Sequence, residues 1–200
     1  MTTMAEVKTI AGGLTSGSTN GVGTNALLNY PTGVACNGNN GDIIIADCNN
    51  YVLRLVSSPT KTVTLFAGGL GTFGFANGMG TYARFSTAIF HIAQNQANTH
   101  FYLADYGNHL IRQVTLLGEV SSFAGRQGVS GTEDGLGTLA YFNSPLAISC
   151  DDISGNIIVG DYGNHRIRAI DVSSGLVSTI AGSSQGAIVN GIGTNTKVIS

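Results

Sequence analysis

The chain has 200 residues, of which 42% are hydrophobic and only 10% are charged, and its net charge is -2. An ordinary soluble domain is about 25% charged, so uncharged polar residues and glycine must cover much of this surface. Nine lysines and arginines provide no basic field for a phosphate backbone, which argues against nucleic acid as a partner. Neither an apolar membrane span of roughly 20 residues nor a secretory signal is predicted.

Two short phrases recur along the chain at a nearly constant spacing. The first begins with Val and ends with Ala-Gly, and its copies start 56, 57 and 57 residues apart. The second reads Gly-x-Gly-Thr and keeps step with the first. A fixed period of this size indicates repeated structural modules. The copies of the first phrase are residues 7–12, 63–68, 120–125 and 177–182, and those of the second are 21–24, 78–81, 135–138 and 191–194.

The first copy of the Val-to-Gly phrase, at residues 7–12, is not preceded by strands of its own. We therefore predict an orphan N-terminal strand there, which could add to the edge of a neighbouring sheet. A polar stretch at residues 13–29 follows. We expect this stretch to run from the outer edge of one unit to the inner strand of the next.

The first complete unit contains four predicted strands. Residues 31–36 form a short strand, turn-forming Asn and Gly residues follow, and the β-branched run at 42–46 is typical of a buried strand. After a second turn, residues 51–56 and 62–67 complete the unit. The later units repeat this pattern, and no segment combines a helical period with caps, so the predicted class is all-β.

Four-stranded antiparallel units at a constant period are typical of β-propeller blades. Three complete blades are predicted, approximately at residues 28–67, 84–124 and 141–181. Residues 182–200 are predicted to form a connector to a further blade.

The turn after the second strand of each unit carries a phrase that resembles a known family. Asp105-Tyr-Gly-Asn-His-Leu-Ile-Arg112 and Asp161-Tyr-Gly-Asn-His-Arg-Ile-Arg168 resemble the signature of NHL repeats, which are named after Asn-His-Leu. A degenerate copy at residues 47–54 has Tyr in place of His. The resemblance covers nearly the whole chain and implies a six-bladed propeller, for which six units of this period need roughly 340 residues. Residues 1–200 are thus predicted to be a single propeller segment, either part of a longer protein or closed by association between chains.

The charged and polar residues of this signature recur in every unit, which favours a structural role over a catalytic one. An aspartate at a turn and an arginine on the neighbouring strand can satisfy each other and nearby backbone groups. In-register histidines on successive blades diverge, so we do not expect them to share a metal. The residues assigned to this structural signature are Asp47, Arg54, Asp105, Asn108, His109, Arg112, Asp161, Asn164, His165 and Arg168.

Phe90 and His91 of the second unit break the repeat and are candidates for lining the propeller channel. Counted by the repeat, His91 stands in the place of Val34 and Ile148, on the strand nearest the axis. A histidine beside the channel could bind a ligand or an ion. Packing against an adjacent blade is the favoured alternative.

Other arrangements for catalysis or metal binding are weak. The lyase that cleaves peptidyl hydroxyglycine resembles this chain in its propeller type and holds zinc with several histidines. Here only His91 and His100 remain once the two repeat histidines are set aside. The acidic turns at 133–135 and 151–156 lack EF-hand spacing, and no nucleophile elbow is present. The cysteines are expected to be free, buried thiols; they are Cys36, Cys48 and Cys150.

The sequence therefore favours a non-catalytic protein-interaction or structural scaffold module without a cofactor or a bound metal. Its expected partner is another protein or a second copy of the chain. Low charge and abundant Gly, Asn, Ser and Thr favour a subunit or fragment of a repetitive extracellular or cell-surface assembly. The alternative is a metal-dependent, lyase-like enzyme with a site at the propeller channel, because a fold alone does not decide function.

Overall fold

A computed structural model describes residues 5–183, which contain fifteen β-strands and no α-helix. No helix in this part of the chain is therefore long and apolar enough to cross a membrane. The strands are β1 Gly21–Val22, β2 Pro31–Cys36, β3 Ile43–Asp47, β4 Val52–Val56, β5 Thr62–Ala67, β6 Gly78–Met79, β7 Ile89–Gln94, β8 His100–Asp105, β9 Leu110–Thr115, β10 Glu119–Ala124, β11 Gly135–Leu136, β12 Pro145–Cys150, β13 Ile157–Asp161, β14 Arg166–Ile170 and β15 Leu176–Gly182.

Within residues 5–183 the strands form three antiparallel five-stranded sheets, which we call blades 1, 2 and 3 in chain order. Their strand orders are β1-β5-β4-β3-β2, β6-β10-β9-β8-β7 and β11-β15-β14-β13-β12. In each blade four longer strands follow one another as a meander, with β2, β7 or β12 at the inner edge. The prediction of an all-β fold built from propeller blades is confirmed.

Each blade has one strand more than the four that the sequence predicts. The extra strand contains the first two residues of the Gly-x-Gly-Thr phrase: Gly21 pairs with Val63, and Val22 pairs with Thr62. A short 3-10 turn, Gly23–Asn25, follows it. A strand of two residues leaves no alternating pattern in the sequence, which is why the count of four was too low.

The orphan strand predicted at residues 7–12 is not a strand in the structure. These residues take part in no sheet pairing within the described part of the chain. A fourth strand of a blade needs a third strand beside it, and the third strands β4, β9 and β14 are already paired with β5, β10 and β15. The predicted connector at 182–200 lies outside the described residues after position 183.

The inner strand of blade 2 is shifted by one residue from the repeat count. Pro31 pairs with Asp47 in blade 1, and Ile89 pairs with Asp105 in blade 2. Ile89, rather than the neighbouring Ala88, therefore occupies the position of the proline. The fixed-period alignment of this strand was wrong.

The cause of this shift is one extra residue, Thr87, which follows Ser86 at the entrance to the inner strand. The prediction that His91 corresponds to Val34 and Ile148 is consequently corrected. The corresponding positions are Ile89 with Pro31 and Pro145, Phe90 with Thr32 and Leu146, and His91 with Gly33 and Ala147.

The hydrophobic core lies between consecutive blades rather than inside any one of them. Phe85 from the connector packs between blades 1 and 2, and Phe142 packs between blades 2 and 3. Burying one such aromatic side chain stabilises the fold by about 1.5–3 kcal/mol. A smaller cluster on the other face of blade 1 includes Ala26, Ile45 and Val63. The connectors before blades 2 and 3 are therefore each packed between two blades.

Candidate functional site

The repeated aspartates end the second long strand of each blade and are completely buried. In blade 2, Asp105 accepts hydrogen bonds from the Ser86 N–H, from Nδ2 of Asn108 and from Nη1 of Arg112, each at 2.9 Å. The aspartates of blades 1 and 3 have the same three kinds of donor. Each carboxylate thus holds the connector, the 3-10 turn and the third strand together.

The repeated arginines attach each blade to the connector that precedes it. Nη1 of Arg112 donates to the carbonyl oxygen of Arg84 at 3.1 Å, and Nη2 donates to the carbonyl of Ala76 and to Oδ1 of Asn77, both at 2.8 Å. The guanidinium carbon lies 5.5 Å from the ring centroid of Phe85, within the range of a cation–π contact. One buried guanidinium therefore organises a whole connector.

Burial shifts the pKa values of Arg112 and Asp161 towards their neutral forms, and their hydrogen-bonded partners oppose that shift. Burial lowers the pKa of Arg112, and the Asp105 carboxylate opposes that shift. A guanidinium nevertheless stays protonated at any ordinary pH. Burial raises the pKa of Asp161, while a hydrogen bond from the Asn143 N–H and the charge of Arg168 act against it. These groups are hydrogen-bonded to one another and to backbone groups.

The connector residue that meets each arginine differs between blades. It is Asn20 in blade 1, Asn77 in blade 2 and Asp134 in blade 3. Oδ1 of Asp134 lies 2.6 Å from Nη2 of Arg168 and 3.0 Å from the Thr179 hydroxyl. Burial by itself raises the pKa of Asp134, but the bonds from Thr179 and Arg168 outweigh it and lower the pKa. Sequence reasoning missed these residues, although an Asn or Asp before Gly recurs there in phase.

The signature histidines occupy a left-handed backbone conformation directly after the 3-10 turn. His109 has φ +58° and His165 has φ +54°, and Tyr51 takes the same position in blade 1 with φ +60°. Nδ1 of His109 accepts the N–H of Ser144, a residue at the entrance to blade 3, at 3.0 Å. Nδ1 of His165 is buried but has no hydrogen-bond partner among residues 5–183. The two histidines share a conformation but not a hydrogen bond.

Phe90 and His91 lie on β7, the inner strand of blade 2. His91 is exposed, whereas Phe90 is partly buried and stacks edge-on against Tyr106, with ring centroids 5.4 Å apart. The backbone here is in close contact with blade 1: a Cβ on Gly33 would lie 2.5 Å from the Phe90 carbonyl oxygen and 2.9 Å from Cα of His91. The proposed channel-lining role of the two residues stays a prediction.

The remaining candidate groups are the other metal-binding side chains, the cysteines and the acidic turns. Among residues 5–183, His, Cys, Asp and Glu form no cluster of three or more that could hold a metal ion. All three cysteines are free, as predicted, but Cys36 is exposed at the end of its strand, so its expected burial was wrong. Serine hydrogen bonds lower the pKa of Asp151 and lower that of Asp171 to about 2. These carboxylates close tight turns.

Comparison with known sequences identifies one repeat family. Residues 28–51 match the NHL repeat. The chain is 36% identical over 92 residues to NHL repeat-containing protein 2 of Bos taurus, covering 46% of this chain and 12% of that protein. It is also 36% identical over 101 residues to Protein SUPPRESSOR OF QUENCHING 1, chloroplastic, of Arabidopsis thaliana, covering 50% of this chain and 9% of that protein. The chain thus spans about a tenth of these relatives.

Solved structures with a similar fold are less similar in sequence to this chain than those two relatives are. An auxiliary nutrient binding protein from Bacteroides ovatus superposes with a TM-score of 0.67 at 18% identity, covering 92% of this chain and 47% of that one. A chain of a nidogen/laminin complex superposes with a TM-score of 0.56 at 13% identity, covering 77% of this chain and 49% of that one. A gluconolactonase from Xanthomonas campestris superposes with a TM-score of 0.54 at 10% identity, covering 77% of this chain and 48% of that one. At such identities these similarities establish the fold alone.

Proposed function

Since the chain carries NHL repeats folded as consecutive β-propeller blades, we propose that it is a non-catalytic protein-interaction or structural scaffold module. The supporting observation is the position and the bonding of its repeated charged side chains. The repeated aspartates and arginines, which are the strongest candidates for chemistry, are buried and bonded to connectors in all three blades. The hydrogen bonds of these side chains stabilise the attachment of each blade to its connector.

The surface left for recognition consists mainly of loops and turns with exposed apolar side chains. Tyr82 and Leu139 protrude from the 3-10 turns of two connectors, and Leu117 protrudes from the β9–β10 hairpin. Loops held by a rigid scaffold are the usual carriers of binding function. An interaction role is also in keeping with the nidogen/laminin complex, in which a protein of similar fold is found in a complex. An extracellular or cell-surface setting belongs to the same proposal.

The second candidate is a metal-dependent, lyase-like enzyme with its site at the channel. The observation in its favour is His91, which is exposed on an inner strand and breaks the repeat. A gluconolactonase also shares the fold. A single exposed histidine cannot by itself complete a catalytic zinc site, which takes three protein ligands.

Metal analysis separates the two candidates. The intact chain is purified without chelators beside His91→Ala and, as a matched control, His100→Ala, which alters a histidine at the start of the neighbouring strand β8. We expect far less than one equivalent of zinc in all three proteins, and no rise in unfolding temperature when zinc is added, since binding to the native state would stabilise it. One equivalent of zinc that is lost only in His91→Ala would overturn the non-catalytic proposal.

A further inference from the structure

The sequence of residues 7–12 is almost that of the outer strand of blade 3. Residues 177–182 differ from it at one of six positions, where Ser178 replaces Lys8. In β15 the Ser178 side chain is exposed, so a lysine fits the same position with its amine in water. Residues 7–12 therefore have a sequence that can pair with the third strand of a blade.

The end of this segment already has the geometry of an outer strand. Gly12 has φ +101°, close to the +90° of Gly182. The N–H of Gly12 donates to the carbonyl oxygen of Gly23 at 3.2 Å. In the next repeat, the N–H of Gly68 donates in the same way to the carbonyl oxygen of Gly80 at 3.0 Å. Val7, by contrast, is 95% exposed, whereas its counterparts on β5, β10 and β15 are buried. The segment has the outer-strand sequence but no blade among the described residues.

The two ends of the three-blade array expose opposite halves of one kind of interface. On blade 1, Val34 is 65% exposed, while its equivalents Ile92 and Ile148 are about ten times less exposed, at 5% and 6%, against the preceding blade. On the far face of blade 3, Ile180 is exposed, and Nδ1 of His165 is buried without a partner among the described residues. Among residues 5–183, no blade precedes blade 1 and none follows blade 3.

We infer that a second copy of this chain docks its blade 1 on blade 3, and that its residues 7–12 replace residues 177–182 as the outer strand there. Exchange is required because Gly12 and Gly182 occupy the same position of the repeat. Residues 7 and 177 are 170 residues apart, which is three repeat lengths, so the exchange continues the array in register. This inference rests on the proposed function, since it names the chain itself as the protein partner.

Docking would also complete the hydrogen bonds of blade 3. Ser144, whose N–H binds His109, has φ +52° and precedes a proline, and Tyr30 has φ +57° and precedes the equivalent proline. The N–H of Tyr30 in the second copy is therefore placed to donate to Nδ1 of His165. The contact is head-to-tail, so copies can close into a ring or extend further. Two copies supply six blades, the number that the family resemblance implies.

The first test is the solution mass of the intact chain by light scattering at rising concentration, after refolding at high concentration so that strands can exchange. The chain is compared with Val7→Asp, which puts a charge where the buried Val177 would stand. Because Val7 is exposed in a single copy, its variant keeps the unfolding temperature of the monomer. The matched control is Leu117→Asp, at a residue 83% exposed on the middle blade.

We expect the chain and Leu117→Asp to form dimers or larger species, and Val7→Asp to remain monomeric. A chain that stays monomeric at every concentration, or a Val7→Asp variant that assembles equally well, would overturn the inference. Either result leaves the module free to bind other proteins. Stoichiometric zinc dependent on His91, in contrast, would overturn the proposed function without touching the assembly.

A disulfide trap tests the pairing directly in a background with the native cysteines replaced by serine. Ser178 lies opposite Ala169 in the β14–β15 ladder, so Lys8 of a second copy should take that place. Lys8→Cys and Ala169→Cys, each on a separate chain, are mixed during refolding and oxidised. We expect a disulfide-linked heterodimer. Its absence, while the single-chain pair Ala169→Cys with Ser178→Cys does form its bond, would contradict the exchange.

Discussion

Blades 2 and 3 contain the same signature but complete it differently. In blade 2, Nδ1 of His109 accepts the N–H of Ser144 at the entrance to the next blade. In blade 3, Nδ1 of His165 is buried but lacks such a donor among the described residues. The signature thus fixes the conformation of its own turn, since both histidines are left-handed. The following blade supplies the rest of the hydrogen bonds.

The connectors of these two blades differ in charge as well. The arginine of blade 2 meets the amide of Asn77, whereas Arg168 of blade 3 meets the carboxylate of Asp134 in addition to that of Asp161. The completely buried pair, Arg to Asp, is common to both blades. The partly exposed connector residue, Asn77 or Asp134, varies between the blades. We therefore expect the stability of the fold to depend on the buried pair more than on the connector residue.

The largest effect is expected from breaking that buried pair. Arg112→Met leaves Asp105 buried without its cation and should destabilise the chain by about 3–5 kcal/mol, and Arg168→Met should cost a similar amount in blade 3. Urea unfolding monitored by circular dichroism measures both. The control is Arg126→Met, which removes an exposed arginine bonded to the Tyr141 hydroxyl and should change stability by less than about 0.5 kcal/mol. Equal effects in all three variants would show that burial does not govern these pairs.

The next effect concerns the contact between inner strands. Gly33→Ala adds a methyl group 2.5 Å from the Phe90 carbonyl and should cost about 1–3 kcal/mol by forcing blades 1 and 2 apart. Ala147 already carries that methyl group at the corresponding position of blade 3, where no following blade lies among the described residues. The same urea titration applies at a concentration where the chain is monomeric, with Val34→Ala as an exposed neighbour that should then be nearly neutral. A neutral Gly33→Ala would mean that the two inner strands do not touch.

The signature histidines give a smaller difference. His109→Ala leaves the Ser144 N–H without its acceptor, whereas His165→Ala removes no hydrogen bond to a described residue. Both variants share the cost of alanine in a left-handed conformation. His109→Ala should therefore be the less stable of the two by about 1 kcal/mol, the net value of a typical hydrogen bond. If His165→Ala proves equally costly at a concentration where the chain is assembled, but not where it is monomeric, the docking of a second copy gains support.

Much of this fold could be predicted because its longer strands are bracketed by strong turn residues. The predicted strands at 31–36 and 62–67 agree with β2 and β5 residue for residue. The two-residue strands were missed because they are too short to show a period. The register of blade 2 was missed because a single insertion, Thr87, precedes the strand, and because Ile89 stands where the other blades carry the proline that marks the strand start.

The site was predictable only in part, for a related reason. The buried aspartates and arginines are seven residues apart and recur in phase, so their pairing is visible in the sequence. Their connector partners, such as Asn77 for Arg112, are 35 residues away. Such a partner becomes evident only once the path of the connector across the blade is known. The missing hydrogen-bond partner of His165 Nδ1 was likewise not predictable, because the donor to this histidine position comes from the following blade and not from the signature itself.

The smallest effect distinguishes the two connector residues and depends on pH. Asp134→Asn gives blade 3 the amide that blade 2 has. The Asp134 side chain is 48% exposed, so water screens its pair with Arg168 and the loss at pH 7 should be under about 1 kcal/mol. The folded-state pKa of Asp134 is lowered, so its contribution is present above the unfolded value of about 3.9 and is lost as the pH falls below it. The stability difference between the chain and the variant should therefore shrink as the pH falls through the lowered folded-state pKa of Asp134.

The reciprocal variant, Asn77→Asp, gives blade 2 a carboxylate beside Arg112 and is the control for position. If the connector charge alone accounts for the difference between the two blades, the free energy of unfolding of this variant should rise by a fraction of a kcal/mol at pH 7. This gain should disappear on acidification and should mostly disappear in high salt. A gain that persists at acid pH would point to packing or hydrogen-bond geometry instead. Because Asp105 stays buried and paired in the variant, either outcome concerns the exposed partner alone and leaves the role of the buried pair to the Arg112→Met measurement.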